Sequence, residues 1–176
     1  MSEKIVSVEA GDDFLAAAKI AASPSWPPLC EICNKNKGGH MIHRDSFGFF
    51  RYSITFFHCD DCQEQSKSYS RMLCAKRGEE KKAEAIAQLR SGDKNYLKYF
   101  QVKLHNKVSS YTDEDGKNWL AEWVNDNLPD MADQILNFPC EVCQQQAQAP
   151  ILSWDDQNYH IYCYKCCPPN TQQFIF

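Results

Sequence analysis

Cys30-Glu31-Ile32-Cys33 and Cys59-Asp60-Asp61-Cys62 lie in the first half of the chain, and Cys140-Glu141-Val142-Cys143 and Cys163-Tyr164-Lys165-Cys166 lie near its end. Two residues between cysteines let one tight turn aim both sulfurs at a single ion. Two such turns complete a tetrahedral shell. The spacings are Cys-x2-Cys-x25-Cys-x2-Cys and Cys-x2-Cys-x19-Cys-x2-Cys. We therefore expect two zinc ions, one held by Cys30, Cys33, Cys59 and Cys62, the other by Cys140, Cys143, Cys163 and Cys166. Four protein thiolates leave no position open for water or substrate, so both sites read as structural. Disulfides and iron–sulfur or redox chemistry are the competing uses of such pairs. Disulfide frameworks belong mainly to secreted chains, and a thioredoxin-like site needs a βαβ setting that none of the four pairs has.

The chain has 176 residues, enough for one or two small domains. It shows no secretory leader pattern and no apolar run of about eighteen residues. An intracellular protein is expected, cytoplasmic or nuclear, or carried inside a virion, with no membrane and no small-molecule substrate. The net charge of −4 is unevenly spread. Residues 63–107 hold eleven basic and five acidic side chains, whereas residues 108–160 hold one basic and ten acidic. That balance argues against a general nucleic-acid coat protein but leaves room for a local basic face.

Four segments follow. Residues 1–28 comprise a short helix over 10–22 and the stiff stretch Ser23-Pro24-Ser25-Trp26-Pro27-Pro28. In 29–92, the first cysteine pair is released by Gly38-Gly39, and His40–His43 reads as a strand. Asp45–Gly48 reads as a turn and Phe49–His58 as a second strand, rich in aromatic and β-branched residues. Helix formers without proline run from Gln63 to Leu89, with a break or kink expected at Gly78. Residues 93–137 form a helical connector. Trp119, Leu120, Trp123, Val124 and Leu128 fall at helical spacing there, and Pro129 ends that helix before a short one through Leu136. Residues 96–111 fit a helix, although Phe100, Val102 and Leu104 also alternate like a strand. Segment 138–176 contains a strand at Pro150–Trp154, a turn at Asp155–Asn158 and a return strand at Tyr159–Tyr164. Pro168-Pro169 forbids a following helix. The two cysteine modules echo each other: each starts Cys-Glu-(Ile or Val)-Cys and leads through an aromatic strand into the second pair.

The first module, knuckle then hairpin then a helix whose first turn carries the last two cysteines, resembles the treble-clef finger group over about 45 residues. The second resembles a zinc ribbon. Both likenesses imply an α+β protein of two small zinc-stabilised hairpin modules bridged by helices, and they name fold groups rather than a protein family. A helix N-terminus with its free N–H groups would stabilise the first site's thiolates.

The other candidate residues carry weaker signals. Cys74 reads as a core thiol, and Cys167 competes with Cys166 as fourth ligand of the second site, with the spacing favouring Cys166. His40 and His43 read as surface or supporting residues before zinc ligands. A treble-clef nuclease would need histidines around a catalytic metal, and a RING-like ubiquitin ligase would need interleaved pairs with a central Cys-x-His. Neither order is present. Lys67, Arg71, Lys76, Arg77, Lys81 and Lys82 cluster on the long helix. They are the candidates for phosphate contact, set against a solvated face laced with Glu79, Glu80 and Glu84. Trp26 and the tail Phe174-Ile175-Phe176 are the candidates for partner contact, because aromatic anchors dominate interface energetics. No catalytic constellation is found. The reading is a non-enzymatic adaptor or structural subunit of a larger assembly. The alternative is a nucleic-acid-binding protein of transcription or genome packaging, including that of a large DNA virus.

Overall fold

The computed structural model describes residues 28–169 and 172–173, in two compact units divided along the chain between Lys82 and Ala83. Trp26, the expected helix over 10–22 and the tail Phe174–Phe176 lie outside the described residues. The architecture is α+β: small antiparallel hairpins and helices, with one four-cysteine cluster in each unit. Among the described residues no helix is long and apolar enough to cross a membrane.

In the first unit β1 (His40–Ser46) pairs antiparallel with β2 (Tyr52–His58), from His40 opposite His58 to Ser46 opposite Tyr52. Ile54, Phe56 and His58 are buried while Ser53 and Thr55 are exposed, the period-2 pattern of a half-buried strand. Phe57 is buried as well, because the cysteine knuckle lies over its backbone: Glu31 N–H donates to the Phe57 carbonyl at 2.9 Å. The hairpin runs further than Asp45–Gly48 allowed, and its connection spans residues 47–51. Phe49, expected in the strand, is instead a buried loop anchor in edge contact with Phe50 at 5.1 Å. At Gly38 a Cβ would come within 2.8 Å of the Phe57 Cβ, so no larger residue fits there without displacing β2.

A 3-10 turn, Asp60–Cys62, feeds directly into α1 (Gln63–Arg90), which crosses the junction of the two units. The expected break at Gly78 does not occur. The helix passes through unbroken, and Gly78 faces the Tyr52 ring at ordinary contact distance, about 3.5 Å from where a Cβ would stand. Phe56 packs edge-on against Tyr69 of α1, with ring centroids 5.1 Å apart.

In the second unit α2 (Lys94–Lys107) continues into a 3-10 turn ending at Tyr111, followed by α3 (Trp119–Asn127) and α4 (Ala132–Leu136). Asp93 caps α2 by accepting from the N–H groups of Asn95 and Tyr96, and Asn118 caps α3 in the same way through Leu120 and Ala121. β3 (Pro150–Trp154) pairs with β4 (Tyr159–Cys163), close to the expected bounds, and the two-residue β5 (Gln172–Gln173) adds to the other edge of β3. The helix α2 packs on β3 and β4, and Val102, Phe138, Leu152 and Ile161 form the core between them. It also touches α4, so Phe100, Gln101, Val102 and Leu104 are all buried. A helix covered on two sides buries neighbouring positions, and that is why its sequence also alternates like a strand.

Candidate metal centres

Each cysteine set converges. The four sulfurs of Cys30, Cys33, Cys59 and Cys62 lie within 4.8 Å of one another, as do those of Cys140, Cys143, Cys163 and Cys166. One edge of each set, Cys33 to Cys59 and Cys143 to Cys163, is 3.9 Å. A regular tetrahedron with such edges has its centre about 2.4 Å from each vertex, close to the ~2.3 Å of a zinc–thiolate bond. A disulfide needs about 2.05 Å between sulfurs, and all ten cysteines are free thiols. The donor sets therefore fit a four-coordinate metal ion. These are the two groups among the described residues able to hold one.

The two centres are built alike, down to individual hydrogen bonds. Asn34 N–H donates to the Cys30 carbonyl at 2.8 Å, and Gln144 N–H to the Cys140 carbonyl at 2.9 Å. Both residues take positive φ, 55° and 58°, which closes the knuckle. Glu31 clamps β2 at both backbone groups of Phe57: its N–H donates to the Phe57 carbonyl, and its carboxylate accepts the Phe57 N–H at 3.1 Å. Glu141 does the same to Ile161, at 3.0 and 3.3 Å. Phe57 stands two residues before Cys59, and Ile161 two before Cys163, so each glutamate sets the register between its two cysteine pairs. The repeated Cys-Glu-(Ile or Val)-Cys was visible in the sequence, but the purpose of its glutamate was not. Asn36 is a second supporting residue that the motif did not reveal. Its amide donates to Asp61 at 2.9 Å and approaches the Cys59 sulfur at 3.8 Å.

Burial disfavours thiolate at Cys30 and Cys140. Backbone N–H groups, from Cys33, Cys59 and Ile32 in the first site and from Cys143, Cys163 and Val142 in the second, outweigh it and bring both thiols down to about 6. Amide donors from Asn36 and Lys35 lower Cys33 as well. The last cysteine of each set moves the other way, to about 12, Cys62 through burial and then its sulfur neighbours, Cys166 chiefly through Cys163 and then burial. Four thiolates repel one another, and a bound cation would compensate that repulsion.

The remaining candidates separate. Cys74 is half-buried on α1 and belongs to neither cluster, and it is Cys166, not Cys167, that completes the second. His40 pairs with Asp60 at 2.6 Å and stacks on His58, which donates from Nδ1 to the Cys59 carbonyl. His43 bonds Thr55 and Asp45. Neither joins a sulfur set. His160 lies between Glu141 at 2.8 Å and Asp155 at 2.9 Å. These two acceptors raise its pKa, Glu141 most.

The basic cluster does not form one face. At 3.6 residues per turn Lys76 lies about 180° from Lys67. Arg77 pairs with Glu80 at 2.9 Å, Lys82 with Glu79 at 2.7 Å, and Lys76 with Glu80 at 4.0 Å. Lys67 and Arg71 are exposed one turn apart, and Lys81 is half-buried.

No family model matches the chain, and no curated protein or solved structure matches it either.

Proposed function

We propose that each cluster holds one structural zinc ion and that the protein is a non-enzymatic adaptor or structural subunit, acting through protein–protein contacts. The observation that carries this reading is the closed donor set: four cysteines converge on each centre, so an ion bound there has no position left for a substrate or a water nucleophile. Zinc favours tetrahedral thiolate and carries no redox chemistry. Bound there, it would supply a cross-link between the knuckle and the strand end of each module. The acidic stretch 108–160 and the aromatic content support protein partners over phosphates.

The nucleic-acid reading draws on Lys67 and Arg71, exposed together on α1. It is weakened by Glu79 and Glu80, which pair with Lys82, Arg77 and Lys76 within the same helix and offset part of their charge. Phosphate contact needs uncompensated charge, and its affinity falls steeply with salt.

The test is co-purification of the tagged chain from its native source, with metal content measured alongside. The reading expects defined protein partners and two zinc ions per chain. Deleting Phe174–Phe176 or replacing Trp26→Ala should release partners while both ions stay bound. Tight binding to DNA or RNA at physiological salt, lost with Lys67→Ala and Arg71→Ala and unaffected by the tail deletion, would replace it with the nucleic-acid reading.

A further inference from the structure

A cavity of about 510 Å³ opens between the first turn of α2 and the β3–β4 turn, within the second unit. Its walls include four aromatic rings, Tyr96, Tyr99, Trp154 and Tyr159, and two carboxylates, Asp93 and Asp156. None of these belongs to a cysteine centre. The walls are fixed to each other. Asn95 donates its amide to the Gln157 carbonyl at 3.0 Å, and its side-chain oxygen accepts the Tyr159 N–H at 2.8 Å. Lys98 donates to the Tyr159 carbonyl at 2.7 Å and pairs with Glu141 at the same distance. The β3–β4 turn is closed from within by Asp155, which accepts from the N–H groups of Gln157 and Asn158. An aromatic pocket held this way pays little ordering cost when a ligand enters.

The chemistry of the walls selects the ligand. Aromatic faces carry negative quadrupole and attract cations within about 6 Å of the ring centroid. One wall already does so: Lys103 Nζ stands 5.5 Å from the centroid of the Tyr99 ring. Stacking alone would also suit a nucleobase. However, Asp93 and Asp156 beside the rings, with Asp155 in the same β3–β4 turn, repel the phosphate that a nucleotide brings. A cation with an apolar skin satisfies both the rings and the carboxylates. An alkylated ammonium does this better than an unmodified lysine, whose compact charge holds its water strongly.

We propose that this pocket binds a methylated lysine side chain of a partner protein. The proposal deepens the adaptor reading by naming the chemistry that one partner presents, and it rests on that reading.

The test uses the zinc-loaded full chain and three small probes: N-acetyl-trimethyllysine methylamide, its neutral tert-butyl isostere, and N-acetyl-arginine methylamide. Trp154 fluorescence and amide chemical-shift changes report binding. The trimethyllysine probe is expected to bind about two- to thirty-fold more tightly than the neutral isostere, with shifts centred on Tyr96, Trp154, Gln157 and Tyr159. Trp154→Leu should abolish binding. Asp156→Asn, on an exposed turn where the fold has little at stake, should weaken the cation about two- to five-fold and leave the isostere unchanged. Equal affinity for the isostere, tighter binding of the arginine probe, or no shifts at the pocket would overturn the proposal. Because these probes need no native partner, their failure leaves co-purification unaffected, and loss of co-purifying partners would not by itself undo probe binding.

Discussion

Removal of the Glu141 carboxylate should destabilise the second unit more than removal of Glu31 destabilises the first. Glu141 accepts the N–H of Ile161, a core residue of the β3–β4 hairpin, and also takes Lys98 at 2.7 Å and His160 at 2.8 Å. In Glu141→Ala the Ile161 N–H loses its side-chain acceptor in a buried setting, which costs about 1–3 kcal/mol. The Lys98 pair is about a third exposed on both sides, so screening limits it to roughly 0.5–1 kcal/mol. The total is about 1.5–4 kcal/mol, a large share of a domain stability of roughly 5–15 kcal/mol. Glu31→Ala loses only the Phe57 acceptor, about 1–3 kcal/mol, with no charged partner added to it. Glu141→Gln keeps a neutral acceptor for Ile161 and should recover at least half of the loss. Urea unfolding of zinc-loaded proteins, with metal content verified before each series, measures all three. Equal losses for the two glutamates, or a Glu141→Gln variant as unstable as Glu141→Ala, would refute the register-clamp account.

The second prediction concerns ligand choice: Cys166→Ser should reduce metal content from two ions to one, whereas Cys167→Ser should leave two, read by native mass spectrometry. Third, chelation at neutral pH should unfold both cysteine modules, since small hairpin units depend on such a cross-link; unchanged circular dichroism after verified metal removal would exclude that. Fourth, Gly78→Ala should stabilise α1 by up to about 1 kcal/mol, because the helix gains propensity and the added Cβ meets Tyr52 only at contact distance. Fifth, His160 should titrate above its ordinary 6.5, seen by NMR. Its contribution to stability is fully present below 6.5 and is lost as the pH rises through the elevated folded value. The depressed Glu141, and Asp155 at about 2, act in the opposite direction, contributing above their ordinary values and losing that contribution in stronger acid.

Much of the site could be read along the chain because its signals are local. A pair of cysteines two residues apart carries its own geometry, and the aromatic and β-branched run through Ile54, Phe56 and His58 marks a strand without knowledge of its neighbours. Proline placement did the same for the ends of α3 and for the stop after the last cysteines. The sequence by itself therefore determined the two donor sets, both hairpins and the main helices. Other features depended on contacts between residues far apart in sequence. Phe49 left the strand because a buried loop anchor was available to it. Gly78 did not break α1, since one glycine costs only about 1 kcal/mol in a helix of this length. The segment 96–107 resolved as helix because β3, β4 and α4 bury it from two sides. The tertiary structure alone assigned Glu31 and Glu141 to Phe57 and Ile161, and brought Tyr96 and Trp154 to the same cavity. Each of those meetings is made by a side chain crossing from one element to another, and spacing along a single element carries no record of which partner lies across the gap.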